Sequence, residues 1–120
     1  MFVSEYGKEL WTRLDISSFP FDKSLNGFQI ECPDREISKV AFAVDAAEET
    51  IDRAAAEGAD VLVVHHGLFW GEPIAIRGPH YRRVKRALDA GLSLFAAHLP
   101  LDAHPLYGNN AQMALRLGMT

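Results

Sequence analysis

At 120 residues, 48% of them apolar and 23% charged, the chain fits one small globular domain that buries roughly two-thirds of its unfolded surface. A net charge of −4 at pH 7 leaves no basic footprint for nucleic acid or for an anionic membrane. No apolar run approaches the roughly 20 residues of a membrane span; the single Cys32, behind an N-terminus without a leader-like pattern, excludes an internal disulfide and points to a reducing cytoplasm.

Residues 3–14 carry helical spacing, with Val3, Tyr6, Leu10, Trp11 and Leu14 on one face. A loop over 15–25 follows, marked by Ser17, Ser18 and Pro20. Asn26-Gly27 is a turn signal, so turn formation is the default reading of Asn26 and of the nearby Gln29. Phe28-Gln29-Ile30 is a short extended piece that Pro33 ends. Val40-Ala41-Phe42-Ala43-Val44 is continuously apolar and predicts a strand buried on both faces. A helix is expected over 47–58, with Ile51, Ala54 and Ala55 along it and Gly58 at its C-cap. Residues 61–64 form a second strand of the same kind, and 67–79 a loop. A helix over 81–90 turns Tyr81, Val84 and Leu88 inward and stops at Gly91. Residues 92–97 make a third buried strand, and Asn109 or Asn110 caps a last helix over 111–117. The basic run from Arg77 to Arg86 reads as the solvated face of a helix.

Alternation of continuous apolar strands with helices predicts an α/β fold: a parallel sheet with flanking helices. Right-handed crossovers then align every strand C-terminus along one edge, where open α/β sheets bind ligands. The first strand ends at Asp45, the second at His65-His66 and the third at His98, with Asp102 and His104 following. Imidazole and carboxylate donors suit Zn²⁺, Mn²⁺, Fe²⁺ or Ni²⁺ without a thiolate. Adjacent histidines at a strand end point in different directions, so each can serve a different ion, and an aspartate can bridge two. His65 and His66 are therefore read as metal ligands, and the company of three histidines adds Asp102 to them. His98 stands between ligand and supporting residue. Asp45 opens Asp45-Ala46-Ala47-Glu48, which matches a capping box, so a helix cap is preferred to a ligand there. His80 and His104, beside prolines, read as loop residues.

Four segments together resemble the NIF-three-like family, whose bacterial members carry the name GTP cyclohydrolase I type 2 homologue. Val63-Val-His-His-Gly-Leu-Phe-Trp70 is similar to its paired-histidine motif, and Asp22-Lys-Ser-Leu-Asn-Gly-Phe-Gln29 to its Asn-Gly-Leu-Gln signature. Phe42-Ala-Val-Asp45 matches its strand ending in Asp. Ala97-His-Leu-Pro-Leu-Asp-Ala-His-Pro105, with Gly108-Asn-Asn-Ala-Gln112 after it, resembles its third motif.

The resemblance implies a dinuclear metal centre on an α/β domain, in proteins that assemble as ring-shaped hexamers. Carried over by motif, His65, His66 and Asp102 are the metal ligands, Asp102 the bridge between two ions. His98 sits close by as a supporting or substrate-facing group, and in a hydrolase it takes the catalytic role of moving a proton, since imidazole ordinarily titrates near neutrality. Family members are about twice this length and add a His-x-x-x-Glu motif from a C-terminal half; after Asp102 this chain has only His104 and no Glu. Residues 1–120 are accordingly expected to form a single α/β domain, the N-terminal half of a longer architecture. Three side chains hold two ions poorly, so this chain alone is expected to bind one ion weakly or none, and to self-associate as a homo-oligomer. Two functions follow. The first is a metal-dependent hydrolase acting on a nucleotide-like or other small substrate; the second is a non-catalytic metal- or partner-binding scaffold. The sequence has no P-loop or Gly-rich phosphate fingerprint to select GTP.

Overall fold

The computed structural model describes residues 1–119. Its elements run α1 (Val3–Arg13), a 3₁₀ turn (Ile16–Ser18), β1 (Gly27–Ile30), β2 (Val40–Asp45), α2 (Glu48–Ala56), β3 (Val61–His66), α3 (Gly78–Ala90), β4 (Ser93–Ala96), α4 (Leu99–Ala103) and α5 (Asn109–Arg116). The strands form one sheet in the order β1-β4-β3-β2. β2, β3 and β4 are mutually parallel, and β1 joins β4 antiparallel. The extended piece around Phe28 is thus an edge strand, which makes the sheet mixed rather than wholly parallel.

Period-two geometry divides the core between the faces of this sheet. Leu62 and Val64 of β3 and Leu94 and Ala96 of β4 pack with Ile51, Ala54 and Ala87 of α2 and α3. Val61, Val63 and Phe95 face the other way, onto Val3, Leu14 and Ile16. Central β3 is covered on both sides, as its continuous apolar sequence requires. β2 is not: Phe42 and Val44 are 71% and 64% exposed. It lies at the sheet edge, and only Val40 of its outward row reaches the cluster under α1. The expectation of burial on both faces therefore fails for this strand.

Helix α3 also differs from its expected face. It starts earlier, with Pro79 in its first turn, and buries His80 and Ala87, while Tyr81 and Leu88 are 47% and 55% exposed. Val84 packs on the core as expected. The basic run lies on this helix, where Arg82 pairs with Glu48 at 2.9 Å and Lys85 with Asp89 at 2.7 Å. Gly91 ends the helix in the left-handed region, at φ 64°. Among the described residues, no helix is long and apolar enough to cross a membrane.

Candidate metal centre

Parallel pairing puts the C-terminal ends of β2, β3 and β4 together, and the chemistry-bearing side chains meet there. His65 and His66 close β3, and β2 pairs Asp45 against His66 in register. Beyond β4 the chain turns at His98, the residue immediately before the five-residue helix α4 that carries Asp102. The ring centroids of His65 lie 4.5 Å from His66 and 5.1 Å from His98, and those of His66 and His98 are 5.7 Å apart. One ligating atom from each of the three lies within 4.8 Å of the others.

Each ring is held from behind. The His65 Nδ1–H donates to the Ala97 carbonyl at 3.0 Å, the His66 Nδ1–H to Asp45 Oδ1 at 2.7 Å, and the His98 Nδ1–H to Asp22 Oδ1 at 3.0 Å. A carbonyl or a carboxylate accepts only, so each contact assigns a proton to Nδ1 and, in the neutral ring, leaves Nε2 as the nitrogen that can ligate. Asp102 joins this rim, with its Oδ1 3.4 Å from His65 Nε2 and 3.3 Å from the Asn109 amide nitrogen that donates to it. Trp70 closes one side, with its ring edge-on to His98 at 4.8 Å. The donor set fits a divalent ion of borderline softness: imidazoles in one tautomer, a carboxylate alongside, and an acceptor behind every ring.

All four residues singled out for the site are brought together, and His98 stands within the imidazole cluster. Asp45 departs from its expected role. It is the last residue of β2, α2 begins at Glu48 with Ala47 before it, and the Asp45 carboxylate takes up His66 instead of a helix terminus. The expected cap on the last helix is likewise absent: Gly108 precedes α5 and no side chain caps it. Asn109 and Asn110 bond Asp102 through its carboxylate and its carbonyl. His104 stays outside the cluster, its Nε2–H donating to the Arg13 carbonyl and its Nδ1 accepting from the amides of Leu106 and Tyr107.

Sequence reasoning used the segment 22–29 as a motif of resemblance and a turn, and gave none of its side chains a role at the site. Asn26 is more than a turn former: its Oδ1 accepts the His98 amide at 2.9 Å and its Nδ2 donates to Asp22 at 2.9 Å. Gln29 Oε1 accepts the amides of Leu68 and Phe69, and its Nε2 donates to the carbonyls of Leu25 and Phe69, which fixes the turn that follows the paired histidines. Asp22 sits in the stretch read as loop. Burial pushes its carboxyl up, but hydrogen bonds from Asn26, His98, Leu99 and Ser24 outweigh that and hold it down at about 2. The signal available was the Asp22-x-x-x-Asn26-x-x-Gln29 spacing, three hydrogen-bonding side chains within one short loop and strand.

The description Duf34/NIF3 (NGG1p interacting factor 3) belongs to a family model that matches residues 3–120. The chain is a member of the Duf34/NIF3 family. It is 55% identical over 107 residues to a GTP cyclohydrolase 1 type 2 homolog of Deinococcus radiodurans, covering 89% of this chain and 40% of that protein. A protein of the same name from Halobacterium salinarum is 45% identical over 120 residues, covering 100% of this chain and 47% of the relative. The crystal structure of TTHA1606 from Thermus thermophilus superposes with a TM-score of 0.96 at 48% identity, covering 100% and 49% of the two chains. Reduced HcgD from Methanocaldococcus jannaschii gives a TM-score of 0.84 at 27% identity, over 96% and 46%. The chain thus spans about half the length of the Duf34/NIF3 relatives it matches.

Proposed function

We propose that this chain carries one half of the active site of a metal-dependent hydrolase acting on a small, nucleotide-like substrate. His65 and His66 are ligands of a divalent ion (Zn²⁺, Mn²⁺, Fe²⁺ or Ni²⁺), and Asp102 is the carboxylate ligand beside His65. His98 moves a proton at Nε2, the ring nitrogen that Asp22 leaves free. A bound ion supplies Lewis-acid activation of water and of a substrate oxygen. The observation that carries this reading is the convergence of one ligating nitrogen from each of three imidazoles within 4.8 Å, with an acceptor behind every Nδ1. On this reading residues 1–120 are a single α/β domain, the N-terminal half of a longer architecture. In a protein of its relatives' full length, the other half would supply the remaining ligands for a second ion.

Isothermal titration of the metal-free chain with Zn²⁺ and Mn²⁺ tests the reading directly. Weak uptake of at most one ion per chain is expected, and His65→Ala should abolish it. Tight binding of two ions per chain would sink the reading of this chain as one half of the site. Turnover on a nucleotide panel that depends on metal and disappears in His65→Ala separates the hydrolase from a metal-binding scaffold. His98→Ala should keep the ion and lose that turnover; loss of the ion as well would make His98 a ligand instead.

A further inference from the structure

Two acidic groups of the candidate site, Asp45 and Asp22, have no part in the proposed chemistry, and the buried one, Asp22, accepts four hydrogen bonds. The Asp22 side chain is only 3% exposed. Its Oδ2 accepts the Leu99 amide at 3.0 Å and the Asn26 side-chain amide at 2.9 Å. Its Oδ1 accepts the Ser24 amide at 3.2 Å and His98 Nδ1 at 3.0 Å. Three of the four donors have fixed polarity: two are backbone amides and the third is an amide nitrogen anchored because Asn26 Oδ1 accepts the His98 backbone N–H. Only His98 can choose its proton.

We propose that Asp22 is the positioning residue of His98: an ionised carboxylate that forces the proton onto Nδ1 and so delivers the Nε2 lone pair to the rim shared with His65 and His66. The proposal deepens the metal-dependent reading above and rests on it for its functional meaning. The tautomer assignment holds whether His98 binds the ion or moves a proton. His66 has a carboxylate behind it too, but that pair lies in solvent, with side chains 45% and 63% exposed. Asp22 is shielded, so its hold on His98 is screened little. The same carboxylate takes the Leu99 amide at the start of α4, so one group sets both the ring of His98 and the helix that presents Asp102.

The isosteric variant Asp22→Asn has a definite outcome. Asparagine has one acceptor oxygen where aspartate has two. Placing that oxygen at the Oδ2 position satisfies both Leu99 N–H and the Asn26 amide. The new NH₂ then takes the Oδ1 position, where it opposes one fixed donor, the Ser24 N–H, and faces His98 Nδ1, which must become the acceptor. The opposite flip would set the NH₂ against two donors, which costs more. Asp22→Asn should therefore move the His98 proton from Nδ1 to Nε2 and aim a donor at the rim.

Long-range ¹H–¹⁵N correlation spectra of the imidazoles, recorded on metal-free protein at pH 8, read the tautomer directly. In the wild type His98 should show the Nδ1–H pattern; in Asp22→Asn this pattern should be lost and replaced by Nε2–H, with the backbone amide spectrum otherwise retained. An Nε2–H pattern for His98 in the wild type overturns the proposal without any variant, so a failure of Asp22→Asn to fold does not protect it. Retention of Nδ1–H in a folded Asp22→Asn overturns it equally. Because metal is absent, a titration result that overturns the metal reading would leave the role of Asp22 standing.

Discussion

His80 occupies an unusual position for an imidazole: it is 4% exposed, and neither ring nitrogen has a hydrogen-bonding partner among the described residues. Its ring meets Phe69 edge-on at 5.1 Å. Burial pushes its pKa below the ordinary 6.5, and the Arg83 charge adds to the effect. The unfolded chain takes up this proton near pH 6.5 while the folded chain resists it. Stability from this group is therefore complete above about pH 6.5 and declines as the pH falls toward the lower folded value. His80→Leu keeps an apolar side chain of similar bulk and removes the titration. Urea denaturation at pH 7.5 and 5.5 should show a smaller loss of stability in the variant than in the wild type; equal losses would mean that His80 finds a partner on protonation.

Packing between elements has its sharpest test in α1. Gly7 lies mid-helix and is buried, and a methyl group there would collide with the Phe28 ring on β1. Phe28 is itself fixed edge-on to Phe95 of β4, with centroids 5.3 Å apart. Alanine is the better helix former by about 1 kcal/mol, but overpacking a filled contact costs roughly 1–3 kcal/mol. Packing should win, so Gly7→Ala is expected to lower stability by about 1 kcal/mol in chemical denaturation. A gain would show that α1 can shift away from β1. Gly67 follows the same logic beside the site. A Cβ there would strike the Gln29 amide, whose four hydrogen bonds hold the turn after His66.

At the scale of the molecule, the apolar surface is unevenly covered. Phe42 and Val44 on β2 and Met113, Leu115, Leu117 and Met119 in and after α5 are all more than 60% exposed. Phe42 and Val44 share a shallow depression with Val63, His65, Leu101 and Asn109, so this surface runs up to the candidate site. β2 also has an unpaired edge. Apolar area of this kind beside an open strand favours association, and we propose that the 120-residue chain forms homo-oligomers through it. Sedimentation velocity should show mass rising with concentration, and Phe42→Glu should shift the distribution toward monomer. A sharp monomer boundary at high concentration would count against the idea.

The three central strands, the helices between them and the meeting of Asp45, His65, His66, His98 and Asp102 at one edge were legible from residue order, because apolar periodicity and crossover handedness act locally. The paired histidines stood out because nothing in strand termination calls for imidazole. Other features depended on which segments become neighbours. β2 has the same apolar pattern as β3, and only its place at the sheet edge leaves Phe42 exposed. Asp45 had a plausible local partner in a helix terminus, but register brought His66 within 2.7 Å and the closer acceptor contact prevailed. Asp22 lies 76 residues from His98 in sequence, and only the fold could bring its carboxylate to that ring. Local physics therefore determined which ligand types this chain offers; tertiary contacts decided the tautomers in which they are held.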